Sequence, residues 1–202
     1  MLDLGAYIQS WPRFWADRPR LDPWDIPAGV PILLERAFAG LGGGYLIADG
    51  VAVHHSATVE IGAVLKGPAI VGPGCFLAAH CYLRGGVWLA GDCVVGPGCE
   101  VKSSIVFEKA RFAHFNFVGD SLVGSDVNLE AGAIVANYRN DLADRRLRIQ
   151  LGDTVLSAEV EKFGALIGDG VRIGANAVVA PGAVLQPGAV VRRLELVDQR
   201  PV

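Results

Sequence analysis

The sequence predicts an all-β protein built as a single-stranded parallel β-helix of hexapeptide repeats, with a small helical cap at its N-terminus. Two sextets repeat almost unchanged: residues 71–76 read VGPGCF and residues 95–100 read VGPGCE. The fifth residue of each sextet is apolar and mostly small, as at Cys75, Cys81 and Ala69. The first residue of ten successive sextets is a branched aliphatic: Ile47, Val53, Val59, Leu65, Val71, Leu77, Leu83, Leu89, Val95 and Val101.

The six-residue period has a direct physical meaning. One sextet forms a short strand and a turn, and three sextets close a triangular coil of about 18 residues. The aliphatic residue fills the interior, and many of the 26 glycines supply the backbone angles that tight turns need. Neighbouring coils pair in parallel at about 4.8 Å, so residues one coil apart in the same frame lie above one another.

The repeats fall into three frames, which predict about six coils. The first runs from residue 47 to about 106 and breaks at residues 107–116. Phe117, Val123, Leu129 and Val135 lead the second frame. The third is led by Ile167, Ile173, Val179, Leu185 and Val191. We therefore expect an N-terminal cap at 1–46, a β-helix at 47–193 and a tail at 194–202.

Residues 136–165 leave the repeat inside the β-helix domain. They predict an inserted loop with a hairpin around Gly152 and Asp153. Its basic side chains either form a solvated surface or reach an anionic ligand, since excursions from a solenoid often carry function. These side chains are Arg145, Arg146, Arg148 and Lys162.

The first 46 residues lack the repeat and predict short helices. Residues 2–16 are weakly helical, with Pro12 as an interruption. A second helix is expected from an Asp25 cap to about Leu41, ended by glycines at 42–44. We expect this segment to cover the open end of the β-helix, where a strand edge would otherwise be exposed.

Composition limits the possible partners and compartments. A net charge of −3 and an isoelectric point near 5.8 give no reason to expect nucleic acid. No apolar run approaches the roughly 18 residues of a spanning helix, and residues 1–21 lack the apolar core of a signal peptide. We therefore expect a cytoplasmic protein without membrane contact.

The four cysteines predict a structural role and no metal site. Cys75, Cys81, Cys93 and Cys99 all occupy the small fifth position of a sextet. Zinc sites use cysteine pairs two to four residues apart, which this spacing does not provide. Buried, unpaired thiols are the expected state.

Two cations and one histidine are the candidates for chemistry. Arg84 and Lys102 are 18 residues apart, and each directly follows an inward aliphatic residue. They should stack on one face, where a phosphate would bridge them, although a chance surface pair remains the alternative. His114 follows in the first interruption and is a candidate general base or a structural residue. Asn137 and Tyr138 stand where the second frame ends.

Four short motifs carry a family resemblance. Residues 99–102 read CEVK, 114–120 read HFNFVGD, 127–133 read VNLEAGA, and 137–138 read NY. Their order and spacing resemble the acetyltransferase half of bifunctional glucosamine-1-phosphate acetyltransferase/N-acetylglucosamine-1-phosphate uridyltransferase enzymes. Residues 162–171, KFGALIGDGV, resemble the archaeal sugar-1-phosphate nucleotidyltransferase branch. The similarity covers roughly residues 47–193 and does not extend to the nucleotidyltransferase half.

The resemblance implies a left-handed β-helix that acts as a homotrimer and transfers an acetyl group from acetyl-coenzyme A to an amino-sugar phosphate such as glucosamine 1-phosphate. Arg84 and Lys102 would hold the phosphate, and His114 would accept the amine proton. Phe117 replaces the family tyrosine, and Ala175 replaces a family serine near the coenzyme. The remaining implied residues are Asn128, Asn137 and Tyr138 around the sugar, and Arg192 and Arg193 at the coenzyme phosphates.

Three other functions stay open from the sequence. The chain would acylate a different amine or hydroxyl, such as a nucleotide-linked amino sugar, or serve as a non-catalytic trimeric scaffold. A metal hydratase of the γ-carbonic-anhydrase type needs three histidines that meet between subunits, two of them five residues apart. The histidines at positions 54, 55, 80 and 114 do not offer that spacing.

Overall fold

The structure is a computed structural model that describes residues 2–16 and 21–199, and it confirms a parallel β-helix. Its α-helices are α1 (Trp11–Phe14) and α2 (Val30–Phe38), with 3-10 turns at Leu4–Ala6, Pro23–Asp25 and Pro27–Gly29. The strands are β1 (Tyr45–Ala48), β2 (Val51–His54), β3 (Thr58–Val59), β4 (Val64–Leu65), β5 (Ala69–Val71), β6 (Phe76–Leu77), β7 (Tyr82–Leu89), β8 (Val94–Val95), β9 (Glu100–Val106), β10 (Arg111–Phe112), β11 (Phe117–Gly119), β12 (Leu122–Val123), β13 (Asn128–Leu129), β14 (Ile134–Val135), β15 (Arg148–Leu151), β16 (Thr154–Ser157), β17 (Ala165–Ile167), β18 (Arg172–Ile173), β19 (Val178–Val179), β20 (Ala183–Leu185), β21 (Val190–Val191) and β22 (Leu196–Val197).

The strands form a prism with three faces. The first face contains β2, β5, the end of β7, the end of β9, β12, β17 and β20. The second face is a seven-stranded sheet of β3, β6, β8, β10, β13, β18 and β21. The third face contains β4, the start of β7, the start of β9, β11, β14, β19 and β22. The seven strands of the second face correspond to seven coils in the described chain, one more than predicted.

Two coils are one residue shorter than the predicted period, and this corrects the first leader of the second frame, whereas Val123, Leu129 and Val135 point inward as predicted. Val95 pairs with Phe112, and Phe112 pairs with Leu129, so each step is 17 residues. Ser103 turns the corner alone at φ 47°, where the preceding coil uses Gly85 and Gly86. The inward residue of β11 is therefore the buried Val118, and the predicted leader Phe117 lies on the outside.

The predicted start of the first frame at residue 47 was also wrong. Ile47 lies in β1, which pairs antiparallel with β2, and its side chain is 48% exposed. Asp49 and Gly50, both at positive φ, form the two-residue turn of this hairpin. The parallel coils therefore begin with β2.

The N-terminal segment packs along the first face and does not cover the open end as predicted. The segment buries Ile8, Trp11, Val30 and Leu34 in this contact. One outward apolar residue from each coil lies beneath it or beneath the later insertion: Ala52, Ile70, Trp88, Ile105, Leu122, Leu166 and Val184. The continuous apolar column explains the position, because it would otherwise be exposed to water.

Local helix boundaries differ from the prediction for identifiable reasons. Pro12 lies in the first turn of α1, where its missing N–H costs nothing, so it is compatible with this helix and does not interrupt it. Asp25 belongs to a 3-10 turn and caps nothing, while Gly29 precedes α2. The second helix is therefore shorter than the predicted span.

The insertion and the cysteines agree with expectation. β15 and β16 pair as a hairpin around Gly152 and Asp153, and Leu147 and Ile149 pack toward the C-terminal end of the first face. All four cysteines are buried and free. Within residues 2–16 and 21–199, no helix is long and apolar enough to cross a membrane.

Candidate functional site

A cleft of about 500 Å³ opens beside the third face. Five residues singled out in the sequence line it: Arg84, Lys102, Phe117, Asn137 and Tyr138. Glu161 and Lys162, from the end of the insertion, complete the lining. Strands of three successive coils and the insertion thus meet at one place.

Arg84 and Lys102 stack as the coil rule predicted, because they are paired residues of β7 and β9. Each cation is already held by a carboxylate of the next coil. The Nε atom of Arg84 donates to Oε1 of Glu100 at 2.7 Å. The Nζ atom of Lys102 lies 2.5 and 2.8 Å from the carboxylate oxygens of Asp120. Repulsion between the two cations is therefore relieved within the chain, before any ligand binds.

Asp120 connects two candidate residues at the corner after β11. Besides accepting from Lys102, its carboxylate accepts from the Nδ2 amide of Asn137. Asp120 is 6% exposed and has φ 47°, a conformation that aspartate and asparagine tolerate better than most residues. A nearly buried carboxylate thus fixes a lysine from the coil before it and an asparagine from the coil after it.

The insertion closes the other side of the cleft. Tyr138 and Lys162 form an isolated antiparallel bridge, and the N–H of Phe163 donates to the carbonyl of Asn137 at 3.2 Å. The guanidinium of Arg145 lies 5.3 Å from the centroid of the Tyr138 ring, which is within cation–π range.

Arg139 anchors this chain reversal. It is 4% exposed and binds Asp198 through Nη1 and Nη2 at 2.9 and 3.0 Å. These hydrogen bonds raise the pKa of Arg139. The entry to the insertion is thereby tied to the last coil.

His114 does not line the cleft. It is exposed in the turn between β10 and β11, and its imidazole has no hydrogen-bond partner in the described part of the chain. His114 and Phe117 are three residues apart, so at most about 10 Å separates their Cα atoms. The histidine and the cleft therefore border the same third face at different places.

The corner that carries His114 also carries the predicted coenzyme residues. Positions 114, 131, 175 and 193 are equivalent in successive coils. The carbonyls of His114, Ala131 and Ala175 each accept from the backbone N–H of the residue that follows the equivalent position in the next coil. Three coil spacings of about 4.8 Å place His114 about 14 Å from Arg193. Arg192 precedes this corner, with its side chain exposed.

Glu130 occupies part of this corner. It accepts from Nε and Nη2 of Arg193 at 2.7 and 2.8 Å and from the N–H of Ala175 at 2.8 Å. The hydrogen bonds from Arg193 and then from Ala175 lower the pKa of Glu130 to about 2. Its carboxylate is therefore charged at neutral pH.

Asn128 lies on the second face, away from the cleft of its own chain. It pairs with Arg111 in the preceding coil and with Arg172 in the following one. Arg172 binds Asp126 through Nη2 at 3.0 Å. One chain thus assembles five of the predicted residues in the cleft and leaves Asn128, His114, Ala175, Arg192 and Arg193 outside it.

Three residues in or beside the cleft, Glu100, Asp120 and Glu161, had no assigned role in the sequence, and Lys162 was named only among the basic side chains of the insertion. Glu100 and Asp120 lie inside the motifs that carry the resemblance. Each is a carboxylate in the coil after a stacked cation, and this position could have predicted its ion pair. Glu161 and Lys162 reach the cleft only through the path of the insertion, which no repeat predicts. Among the described residues, no group of three or more histidine, cysteine, aspartate or glutamate side chains could hold a metal ion.

Comparison with known proteins gives partial sequence matches. The chain is 31% identical over 167 residues to bifunctional protein GlmU of Methanococcus vannielii, which covers 80% of this chain and 39% of that protein. It is 38% identical over 77 residues to the bifunctional sugar-1-phosphate nucleotidylyltransferase/acetyltransferase of Sulfurisphaera tokodaii, which covers 38% of this chain and 19% of that protein. The chain therefore spans less than half the length of these relatives. No family model matches it.

A solved structure resembles it more loosely. The acetyltransferase domain of PglB from Neisseria gonorrhoeae has 16% identity and a TM-score of 0.45, with 86% of this chain and 70% of that chain covered. The sequence match over four fifths of the chain and the parallel β-helix itself confirm the chain's resemblance to the hexapeptide-repeat acetyltransferase part of the bifunctional GlmU and sugar-1-phosphate nucleotidylyltransferase/acetyltransferase proteins.

Proposed function

We propose that this chain is an acetyl-coenzyme A-dependent N-acetyltransferase that acts on an amino-sugar phosphate such as glucosamine 1-phosphate. One observation carries the proposal: stacked Arg84 and Lys102 share a cleft with Asn137 on the face that His114 borders. Sequence similarity to a protein named as an acetyltransferase supports the reaction type. The phosphate would bind on the cationic wall, with the amine directed along the third face.

The proposed reaction forms one bond and breaks one. The free amine attacks the thioester carbonyl, and a tetrahedral intermediate forms. The new bond between the amine nitrogen and the acetyl carbon is retained, the carbon–sulfur bond of the thioester breaks, and coenzyme A leaves as its thiolate. His114 accepts the proton that the amine loses, a role for which its exposed imidazole, without a hydrogen-bond partner among the described residues, is available. Asn137, held by Asp120, would orient the amino sugar.

The coenzyme would lie along the corner that begins at His114. A long, thin co-substrate along this edge would pass Ala175 and reach Arg193 three coils away, with Arg192 beside it. Because Glu130 already binds Arg193, the coenzyme phosphates would compete with this carboxylate or bind the exposed side chain of Arg192. The positions of all three sequence-predicted coenzyme residues support this path.

A homotrimer would complete the site. Asn128 lies on the second face, so within one chain it lies away from the sugar cleft. A neighbouring copy that places its second face against the cleft would supply it. The first face is unavailable for such contact where the chain's own N-terminal segment covers it.

A nucleotide-linked amino sugar is the second candidate substrate. The observation that favours it is the position of Arg145 against Tyr138, at the border of the cleft. A diphosphate carries a second charged group, which would meet additional positive charge there.

Coenzyme A release tests the proposal directly. Purified protein is incubated with acetyl-coenzyme A and either glucosamine 1-phosphate, glucosamine or a nucleotide-linked amino sugar, and free thiol is measured. We expect release with glucosamine 1-phosphate and a loss of about 10²–10⁴-fold in His114→Ala. His80→Asn, in another coil of the same corner, is the control and should retain activity.

Three outcomes would contradict parts of the proposal. Thiol release that survives His114→Ala removes this histidine as the base. Release only with the nucleotide-linked sugar selects the second candidate. Absence of release with every amino sugar favours a scaffold.

A further inference from the structure

The insertion brings one additional cation, Lys162, into the cleft. Lys162 forms the antiparallel bridge with Tyr138 and lines the same 500 Å³ space as Arg84 and Lys102. It lies 24 residues after Tyr138 in the chain, so its proximity results from the return of the insertion. The hydrogen bond from Phe163 to Asn137 fixes this return.

The three cations of the cleft differ in their partners. Glu100 holds Arg84, and Asp120 holds Lys102. The side chain of Lys162 is exposed and forms no hydrogen bond or ion pair with any residue in the ranges 2–16 and 21–199. Its neighbour Glu161 also lines the cleft without pairing with it. Lys162 is thus the cleft cation whose charge is not compensated by a direct carboxylate contact in the described chain.

This difference determines which cation attracts an anion most strongly. An anion that binds Arg84 or Lys102 shares them with carboxylates 2.5–2.8 Å away, so its own attraction is reduced. An anion that binds Lys162 competes with no carboxylate among residues 2–16 and 21–199. The carboxylates instead hold the other two side chains in fixed positions, which lowers the entropy lost on binding.

We propose that Lys162 is the principal phosphate-binding residue of the cleft, with Arg84 and Lys102 as a pre-positioned wall beside it. The identity of the phosphate as part of an amino-sugar phosphate rests on the proposed function. Anion binding at Lys162 does not depend on acetyl transfer, because a charge-assisted hydrogen bond forms with any phosphate.

Calorimetric titration of the full chain with glucosamine 1-phosphate and, separately, with inorganic phosphate tests this inference. We expect Lys162→Met to weaken binding of both ligands about tenfold or more. Lys109→Met is the matched control, since Lys109 is an exposed lysine at a different corner without an ion pair among the described residues. It should change binding less than twofold. Glu161→Gln removes a negative charge from the cleft and should tighten binding of both ligands.

The outcomes separate this inference from the proposed function. If Lys162→Met binds phosphate and sugar phosphate as tightly as the wild type, the inference is wrong, whether or not the wild type acetylates the sugar. If Lys162→Met loses binding but the wild type transfers no acetyl group, the anion site stands and the proposed function fails. If the wild type binds neither ligand, both fail.

Discussion

The Nζ atom of Lys102 lies 2.5 Å from one carboxylate oxygen of Asp120 and 2.8 Å from the other. The two side chains are 18% and 9% exposed, so water screens their attraction less than at an open surface. Asp120 also accepts the amide of Asn137. The geometry of two proposed substrate residues therefore depends on one carboxylate that need not touch the substrate.

Replacement of Asp120 tests this dependence. Asp120→Asn keeps the size of the side chain and tolerates the positive φ, but it removes the charge that holds Lys102 and presents an amide to Asn137. We expect kcat/KM for acetyl transfer to fall about tenfold to a hundredfold, because small misplacements of positioning groups have effects of this size. Steady-state kinetics with glucosamine 1-phosphate measures it.

The matched control is Asp126→Asn, which also has a positive φ and binds an arginine, but lies at another corner. It should leave kcat/KM within about twofold. Circular dichroism of both variants shows whether the fold is retained. An unchanged kcat/KM in a folded Asp120→Asn protein would show that Lys102 and Asn137 need no such anchor.

Arg84 and Glu100 allow a test of phosphate recognition in both directions. Arg84→Ala should raise the KM for glucosamine 1-phosphate about tenfold and change the KM for glucosamine little, because only the first carries the phosphate. Glu100→Gln should lower the KM for glucosamine 1-phosphate, since it releases Arg84 from its carboxylate. Equal changes for both sugars in the Arg84 variant would show that Arg84 does not bind the phosphate.

The inward columns could be predicted because burial fixes a strict period. Residues such as Leu77, Val95 and Leu129 have no alternative to the prism interior. The two shortened coils could not be predicted, because a shift of one residue exchanges one apolar side chain for another. After Lys102, an unbroken 18-residue period would place Ile105 in the inward column of Val87, yet Val106 points inward and Ile105 contacts the N-terminal segment. Both are apolar, so hydrophobicity alone did not distinguish them.

The same distinction applies to the site: residues in regular coils could be predicted, and residues placed by the insertion could not. The stacking of Arg84 on Lys102 followed from their spacing within regular coils. The arrival of Lys162 depends on how a 26-residue excess in one coil folds back, since Leu129 pairs with Ile173 at a spacing of 44 residues against the usual 18. Tertiary packing determines that path. The position of the N-terminal segment had an available signal, namely one outward apolar residue in each coil of the first face.

Glu130 should make the stability of the protein depend on pH in the acid range. The folded-state pKa of Glu130, about 2, lies below the ordinary value of 4.5. The ionised carboxylate therefore stabilises the folded state fully above pH 4.5, and this contribution is lost as the pH falls toward 2. The melting temperature of Glu130→Gln should therefore lie below that of the wild type at pH 6. The difference should shrink between pH 4.5 and pH 3. Because Arg193 and Glu130 are exposed, 1 M salt should also reduce it.

Glu35→Gln is the control for this measurement, since Glu35 is an exposed helix residue without an ion pair in the described ranges. Its melting temperature should follow the wild type at every pH. Arg193→Gln should reproduce the Glu130→Gln profile, because it removes the main cause of the low pKa. A difference that stays constant from pH 6 to pH 3 would contradict the contribution of this pair.

The spacing between coils sets a limit that Gly96 tests. A Cβ atom at this position would overlap the carbonyl oxygen of Ala113 and lie 2.8 Å from that of Phe112, both in the backbone of the next coil. Backbone atoms cannot move aside as a flexible side chain can, so relief requires two paired coils to separate. We expect Gly96→Ala to lower the free energy of unfolding by about 3 kcal/mol or more, at or above the upper end of typical overpacking. Gly42→Ala, where no heavy atom of the described chain beyond the neighbouring residues lies within 4 Å of the added Cβ, should change it by less than about 0.5 kcal/mol. Urea denaturation compares the two variants, and equal stability would mean that the coils are not packed as closely as the structure shows.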